Sequence, residues 1–218
     1  MTVRVKICGI QDIETAYAAV DAGADALGFV FAPSRRRVAP ETARKIIINL
    51  PPFVTTVGVF VNAPLEVVRE AAAFSRLDAV QLHGVETPAY CKQLDLRVIK
   101  AFGMRNNAAQ VDAGQGLTVL SEDAFQLVDA YQVSAILLDT YVPGMSGGTG
   151  KAFNWKALEG KEFCTKIILA GGLNPENVAS AVKTVKPYAV DVSSGVETDG
   201  RKDKDKIREF ITQAKRKF

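Results

Sequence analysis

Three segments of the sequence end in side chains that could exchange a proton with a substrate. Residues 3–8 alternate with the period of two that is typical of a β-strand, and they end in the thiol of Cys8. Residues 135–139 are an apolar run that ends in the carboxyl group of Asp139. A deprotonated thiol can act as a base, and a carboxyl group whose pKa is raised by burial can act as a general acid. Cys8 and Asp139 are therefore the candidate catalytic pair.

The only histidine of the chain, His83, ends a third apolar segment, at residues 79–83. A single histidine is more often a hydrogen-bonded structural residue than a catalyst, and it argues against a metal centre built from several histidines. Because it follows a strand as Cys8 and Asp139 do, we count it among the candidate substrate-binding residues. We expect no metal site.

Small residues follow two later apolar segments. Gly171 and Gly172 come after residues 166–170, and Ser194 and Gly195 come after residues 188–193. Backbone N–H groups at such positions can approach an anion, and the N-terminus of a following helix adds positive potential. Either pair alone could simply form a tight turn, but the two together favour a phosphate-binding site.

Lys6 lies two residues before Cys8 and points to the same side of the predicted strand. If Lys6 is buried, we expect it to pair with an interior carboxylate such as Asp191 and to raise the thiolate fraction of Cys8. A solvated strand end is the alternative. Residues 144–151 are rich in glycine but fail the phosphate-loop pattern, so we interpret them as a flexible lid.

Strands and helices alternate along the chain. Strands are predicted at residues 3–8, 26–31, 54–61, 79–83, 96–102, 135–139, 166–170 and 188–193. Helices are predicted at residues 12–22, 40–49, 64–74, 88–94, 122–131 and 155–158, from residue 174, and at residues 204–217. This alternation favours a parallel sheet, and eight repeats favour one (β/α)₈ barrel domain over residues 1–218, with an open doubly wound sheet as the main rival. A barrel would bring all the candidate side chains to one face.

Composition excludes several classes of protein. The chain has 218 residues, of which 48% are hydrophobic and 23% charged, and its net charge of +3 is too small to argue for a nucleic-acid partner. Its three cysteines show no metal-binding spacing and suit a reducing compartment. No segment approaches the roughly 20 apolar residues of a membrane span. We expect a cytoplasmic protein with no membrane partner.

Seven motifs are distributed over nearly the whole length of the sequence: KICGI at 6–10, GADALGFVF at 23–31, QLHG at 81–84, LD at 138–139, GGTG at 147–150, GGLNPEN at 171–177 and DVSSGVE at 191–197. With these motifs the sequence resembles the phosphoribosylanthranilate isomerase family. The resemblance implies a (β/α)₈ enzyme of tryptophan biosynthesis that works without a cofactor. The implied reaction is an Amadori rearrangement, an aldose–ketose isomerisation of N-(5-phosphoribosyl)anthranilate to 1-(2-carboxyphenylamino)-1-deoxyribulose 5-phosphate. The implied partner is this small phosphorylated molecule, and the chain would be a monomer or a homodimer.

The same resemblance implies a role for each site residue. Asp139 would protonate the ribose ring oxygen, and Cys8 would take the proton from C2′. An arginine among residues 35–37 would bind the anthranilate carboxylate, and the family spacing before Pro40 selects Arg36. Gly171, Gly172, Ser194 and Gly195 would hold the phosphate. The stretch 104–121 is longer than is usual in the family.

Two other functions remain possible at this point. An aminoaldose isomerase of histidine biosynthesis performs the same chemistry, but its family pattern has Asp where Cys8 stands. A barrel that only senses a sugar phosphate would keep the glycines but would need neither Cys8 nor Asp139. A metal-dependent pentose-phosphate epimerase is disfavoured by the single histidine.

Overall fold

The structure is a computed structural model that describes residues 2–104, 117–120, 125–140, 155–158, 160 and 163–216. The predicted lid at residues 144–151 lies outside the described residues, and so do residues 105–116 and 121–124 of the long connection before the sixth barrel strand. In the part of the chain that is described, no helix is both long and apolar enough to cross a membrane.

Parallel strands form a closed barrel. They are β1 (Arg4–Cys8), β2 (Ala26–Val30), β3 (Thr55–Phe60), β4 (Ala79–Leu82), β5 (Arg97–Met104), β6 (Ala135–Thr140), β7 (Ile167–Leu169) and β8 (Ala189–Val192). Each strand pairs with the next in chain order, and β8 pairs with β1, where Lys6 lies opposite Asp191. This closure confirms the predicted (β/α)₈ architecture and excludes the open sheet.

Helices follow the strands and cover the outside of the barrel. The α-helices are α1 (Ile13–Asp21), α2 (Pro40–Ile47), α3 (Leu65–Ser75), α4 (Pro88–Cys91), α5 (Val178–Val185) and α6 (Lys204–Ala214). Short 3-10 helices lie at Phe125–Ala130, Trp155–Leu158 and Ser194–Val196. A two-residue strand, Val119–Leu120, extends the sheet beside β5, and Glu197–Thr198 forms a hairpin with Arg201–Lys202.

Two helix predictions differ from the structure. The described part of the predicted helix at 122–131 is a 3-10 helix, which agrees with apolar residues that recur every three positions at 125, 128 and 131. The helix predicted to open at Asn174 begins at Val178, because residues 174–177 form a turn of their own. In that turn the side-chain oxygens of Asn174 and Asn177 each accept the other residue's backbone N–H at 2.9 Å.

The inward face of the strands changes from apolar to polar along the barrel. Its amino-terminal half is filled by a small cluster that consists of Val57, Ala79, Ile99, Ala101, Ala135, Leu137, Ile168, Ala170 and Ala189. Two residues further along the same strands stand Gln81, Asp139 and Asp191. The apolar layer therefore closes one end of the barrel, and the other end holds the polar side chains.

Candidate active site

The carboxyl-terminal rim of the barrel collects the side chains that the sequence predicted. Cys8 ends β1, Asp139 lies near the end of β6, and His83 directly follows β4. The two small-residue turns follow β7 and β8. All eight strands are parallel, so these positions share one face of the molecule.

A buried ion pair lies directly below this rim. The Lys6 ammonium is 2.8 Å from Asp191 Oδ1, and the two residues are only 3% and 8% exposed. Burial by itself would lower the pKa of Lys6, but the Asp191 carboxylate and Cys8 together outweigh it and raise that pKa to about 12. Lys6 is therefore a fixed cation inside the barrel, as predicted for a buried Lys6 paired with Asp191.

Cys8 is a free, buried thiol beside this pair. Burial raises the pKa of Cys8 above its ordinary value, and the Lys6 ammonium lowers it by a smaller amount. Lys6 lowers the pKa of Cys8, as predicted, but burial raises that pKa by a larger amount. The resting form of Cys8 at neutral pH is therefore the thiol, and a reaction that uses its thiolate draws on a minor population.

Asp139 is suited to donate a proton at neutral pH. Burial, reinforced by the nearby Asp191 carboxylate, raises the pKa of Asp139 to about 7. Its Oδ1 accepts the backbone N–H of Thr140 at 2.7 Å, and its Oδ2 lies 3.5 Å from His83 Nε2. A carboxyl group with this pKa exists in both protonation states near pH 7, which is what a general acid requires.

His83 is a neutral ring held between two partners. Burial, together with the positive charges of Lys100 and Lys6, lowers the pKa of His83 to about 4. Its Nδ1 lies 3.0 Å from the side-chain nitrogen of Gln81, and its Nε2 faces Asp139. His83 is thus a neighbour of the candidate acid as well as a candidate substrate contact.

Arg36 is fixed at the rim by a carboxylate. Its Nε and Nη2 donate to the two oxygens of Glu197 at 2.6 and 3.0 Å, and its side chain is 13% exposed. Arg35 reaches the same carboxylate at 2.8 Å but is 59% exposed. Lys202 donates to Glu197 at 2.8 Å and to the backbone oxygen of Ser193. Among the predicted arginines, Arg36 is therefore the one held in a defined position beside β8.

The turns after β7 and β8 keep their backbone close to the rest of the rim. Gly171 and Gly172 both have positive φ angles, of 78° and 67°, which favour glycine. A Cβ atom at Gly171 would collide with the Thr140 backbone, and one at Gly195 would collide with the Leu173 carbonyl. Among the described residues, no protein group accepts the backbone N–H of Gly172, Ser194 or Gly195. These groups can therefore donate to an anion.

Some residues of the rim were not predicted from the sequence. Glu197 and Lys202 belong to the hairpin after β8, and no strand pattern marks them. Glu86 and Lys100 form a buried pair at 3.0 Å beneath the turn that carries His83, and Lys100 also donates to the carbonyl of Gly84. A lysine within the apolar run of β5 is the one signal that could have revealed this pair.

In the described part of the chain, no three His, Cys, Asp or Glu side chains are arranged to bind a metal ion.

A cavity of about 1050 Å³ lies at the opposite, amino-terminal face of the barrel. Its lining includes Val3, Ile167, Val182, Val185 and Tyr188. It contains none of the predicted site residues, so it is separate from the candidate active site.

Comparison with known proteins identifies one family. A family model described as N-(5′phosphoribosyl)anthranilate (PRA) isomerase matches residues 5–213. The N-(5′-phosphoribosyl)anthranilate isomerase of Desulforudis audaxviator is 53% identical over 211 residues, with 97% of both chains covered.

Two solved structures agree with this result. One shows monomers generated from the dimeric phosphoribosylanthranilate isomerase of Thermotoga maritima, at 41% identity and a TM-score of 0.78. The other shows a phosphoribosylanthranilate isomerase in complex with reduced 1-(o-carboxyphenylamino)-1-deoxyribulose 5-phosphate, at 42% identity and a TM-score of 0.78. Each alignment covers 98% of both chains.

Proposed function

The chain belongs to the N-(5′-phosphoribosyl)anthranilate isomerase family, and from this premise we propose that it carries out an Amadori rearrangement with Asp139 as acid and Cys8 as base. It is an isomerase of tryptophan biosynthesis. The aldose carbon C1′ of the substrate is reduced and C2′ is oxidised within the same molecule. Because the electrons stay in the substrate, the proposed reaction requires no cofactor.

The proposed first step is opening of the ribose ring. Protonated Asp139 donates to the ring oxygen, the C1′–O bond breaks, and the nitrogen lone pair forms the C1′=N double bond of a Schiff base. The observation that supports this role is the Asp139 carboxyl, which is 15% exposed and whose pKa of about 7 keeps it protonated in a large share of molecules.

The proposed second step is removal of the C2′ proton by Cys8. The electrons of the C2′–H bond form a C1′=C2′ double bond, the iminium nitrogen is neutralised, and the resulting enolamine tautomerises to the ketone. Thiolate is the active form of Cys8 in this step, and the Lys6 ammonium stabilises it.

The proposed binding groups lie on either side of this pair. Arg36 keeps donors beyond the two that Glu197 occupies, and a guanidinium can bind the anthranilate carboxylate through them. The backbone N–H groups of Gly171, Gly172, Ser194 and Gly195 are proposed to bind the 5′-phosphate. His83 is proposed to contact the substrate near its ribose ring, beside the acid.

The deciding experiment is turnover of phosphoribosylanthranilate, followed by the loss of its fluorescence. Cys8→Ala and Asp139→Asn should each lower the rate by about 10²–10⁴-fold while the proteins remain folded. Cys91→Ala is the matched control, because this thiol lies outside the rim, and its activity should stay near that of the wild type. An Asp139→Asn enzyme with full activity would contradict the proposed acid.

We also propose that the chain forms a homodimer through the amino-terminal face of the barrel. Phe53 lies on the loop before β3 at that face and is 96% exposed. The cavity of about 1050 Å³ at the same face is lined by apolar side chains such as Val3 and Val182 together with lysines and arginines. A two-fold dimer would place Phe53 of each copy in the cavity of the other, and the Thermotoga maritima relative is described as dimeric.

Light scattering during gel filtration tests the dimer. The wild type should have twice the monomer mass of 23.5 kDa, and Phe53→Asp should have the monomer mass. Val67→Asp introduces the same charge at a half-exposed position on α3 and should remain dimeric. A wild-type protein that is monomeric at micromolar concentration would contradict this assembly.

We also propose that the enzyme is located in the cytoplasm. Cys8, Cys91 and Cys164 are all free thiols in the structure. Free thiols are typical of reducing compartments, and the proposed base depends on one of them.

A further inference from the structure

Gln81 is a polar residue inside the barrel, and neither of the two proposed reaction steps uses it. It lies on β4 with its side chain on the same inward face as Ala79, and it is 2% exposed. Its neighbours in the sheet register are Val59 of β3 and Ile99 of β5. Burying an amide in such surroundings is costly unless it is hydrogen-bonded. The hydrogen bonds of its amide therefore indicate the role of Gln81.

The Gln81 amide is satisfied on one side only. Its Nε2 lies 3.0 Å from His83 Nδ1, whereas its Oε1 is buried without a partner among the described residues. An unpaired buried acceptor costs about 1–3 kcal/mol. In the structure the amide therefore offers an N–H to His83 and leaves its oxygen unpaired.

This contact determines which nitrogen of His83 carries the proton. A neutral imidazole has one N–H donor and one bare acceptor nitrogen. Because an amide nitrogen can only donate, Nδ1 of His83 must be the acceptor. The ring proton is therefore on Nε2, which lies 3.5 Å from Asp139 Oδ2.

We propose that Gln81 is a positioning residue of the isomerase reaction: it holds His83 in the Nε2–H tautomer, so that an N–H is directed at the Asp139 carboxyl. This inference rests on the proposed role of Asp139 as the general acid. When Asp139 gives its proton to the ring oxygen, a carboxylate forms next to that N–H and is stabilised by it. The opposite tautomer would place a nitrogen lone pair against the new carboxylate.

The tautomer can be measured directly, because His83 is the only histidine in the chain. Enzyme labelled with ¹⁵N-histidine gives one pair of ring nitrogen resonances, whose shifts distinguish the protonated nitrogen from the bare one. Without substrate at pH 7.5, we expect a protonated Nε2 and a bare Nδ1. In Gln81→Glu, whose carboxylate only accepts, the proton should move to Nδ1, and in Gln81→Met the two tautomers should mix.

The second measurement is the turnover of phosphoribosylanthranilate. Gln81→Met and Gln81→Glu should lower kcat by about 10- to 100-fold, part of the 10²–10⁴-fold that a general acid contributes, with KM within about 3-fold of the wild type. The exposed Gln93, altered to Met, is the matched control and should leave the His83 resonances and kcat unchanged.

A wild-type enzyme with its proton on Nδ1 would overturn the inference, and so would a Gln81→Met enzyme with unchanged tautomer and unchanged kcat. If Gln81→Met does not fold, the wild-type and Gln81→Glu spectra decide. An active Asp139→Asn enzyme would contradict the proposed acid instead, and it would leave the substrate-free tautomer measurement intact.

Discussion

The Cys8 thiol and the Asp139 carboxyl share two charged neighbours, the Lys6 ammonium and the Asp191 carboxylate. Lys6 favours the ionised form of both groups, and Asp191 opposes it. One buried ion pair therefore acts on the proposed base and on the proposed acid together. A change in either partner should be measurable at both positions.

Lys6→Met should reduce the reactivity of Cys8. Loss of the ammonium leaves burial and the Asp191 charge to raise the pKa of the thiol further. We expect alkylation of Cys8 by iodoacetamide at pH 9 to slow by about 10-fold, measured by mass spectrometry of its peptide.

Two further variants make this result interpretable. Lys6→Met leaves Asp191 unpaired, which destabilises a protein by about 3–5 kcal/mol, so Lys6→Met/Asp191→Asn is made in parallel. Lys45→Met removes an exposed lysine on α2 and should leave the rate unchanged. Equal alkylation rates at Cys8 in the wild type and both Lys6 variants would show that Lys6 does not act on the thiol.

Among the elements of the fold, the turn after β8 carries the clearest steric requirement. Gly195 lies against the Leu173 carbonyl, and no side chain fits there unless one of the two turns moves. Gly195→Ala should therefore raise KM for the phosphorylated substrate by at least about 10-fold, since each displaced N–H donor to a charged group is worth about 1.5–3 kcal/mol.

Gly23→Ala is the matched control for this prediction. Gly23 also has a positive φ, of 96°, but it follows α1, and a Cβ atom there would meet only Ile211 Cγ2, in ordinary van der Waals contact at 3.9 Å. We expect a loss of about 1 kcal/mol in the free energy of unfolding and an unchanged KM. Equal KM values in both variants would contradict a phosphate site at this turn.

The strands that build this rim could be predicted from the sequence because their signal is local. Apolar runs, such as the one ending at Asp139, identify each strand, and eightfold alternation identifies the barrel. The partners of the site residues could not be predicted in the same way. Glu197 meets Arg36 across 161 positions of sequence, and a pairing at that separation leaves no periodic trace.

Helix type was less predictable than strand position for a physical reason. Segments of four to six residues, such as Trp155–Leu158, are too short to show a 3.6-residue period, so packing selects between an α-helix and a 3-10 helix. The Lys6–Asp191 pair was predictable because alternation along β1 and β8 turns both side chains inward.

For the molecule as a whole, Asp139 and His83 should have opposite effects on stability as the pH changes. The pKa of Asp139 is about 7 against an ordinary 3.8, so its native form binds the extra proton and stability falls as the pH rises from about 4 to 7. The pKa of His83 is about 4 against an ordinary 6.5, so its unfolded form binds the extra proton and stability rises over the same range.

Urea unfolding between pH 4.5 and 7.5 tests these two effects. The free energy of unfolding of Asp139→Asn, relative to the wild type, should increase with pH by up to about 3 kcal/mol. The free energy of unfolding of His83→Gln, relative to the wild type, should decrease with pH by up to about 3 kcal/mol. If these differences in the free energy of unfolding do not vary with pH, the pKa values of Asp139 and His83 are not shifted in the native state.

The closure of β8 onto β1 also has a consequence for how the enzyme is made. Lys6 and Asp191 are separated by 185 positions, so the counter-ion of Lys6 leaves the ribosome near the end of synthesis. At about 5–20 residues per second, the first strand waits on the order of 10–40 s for its partner. The surroundings of Cys8 are thus the last part of the barrel to be completed, and a chain released before Asp191 would have no finished catalytic centre.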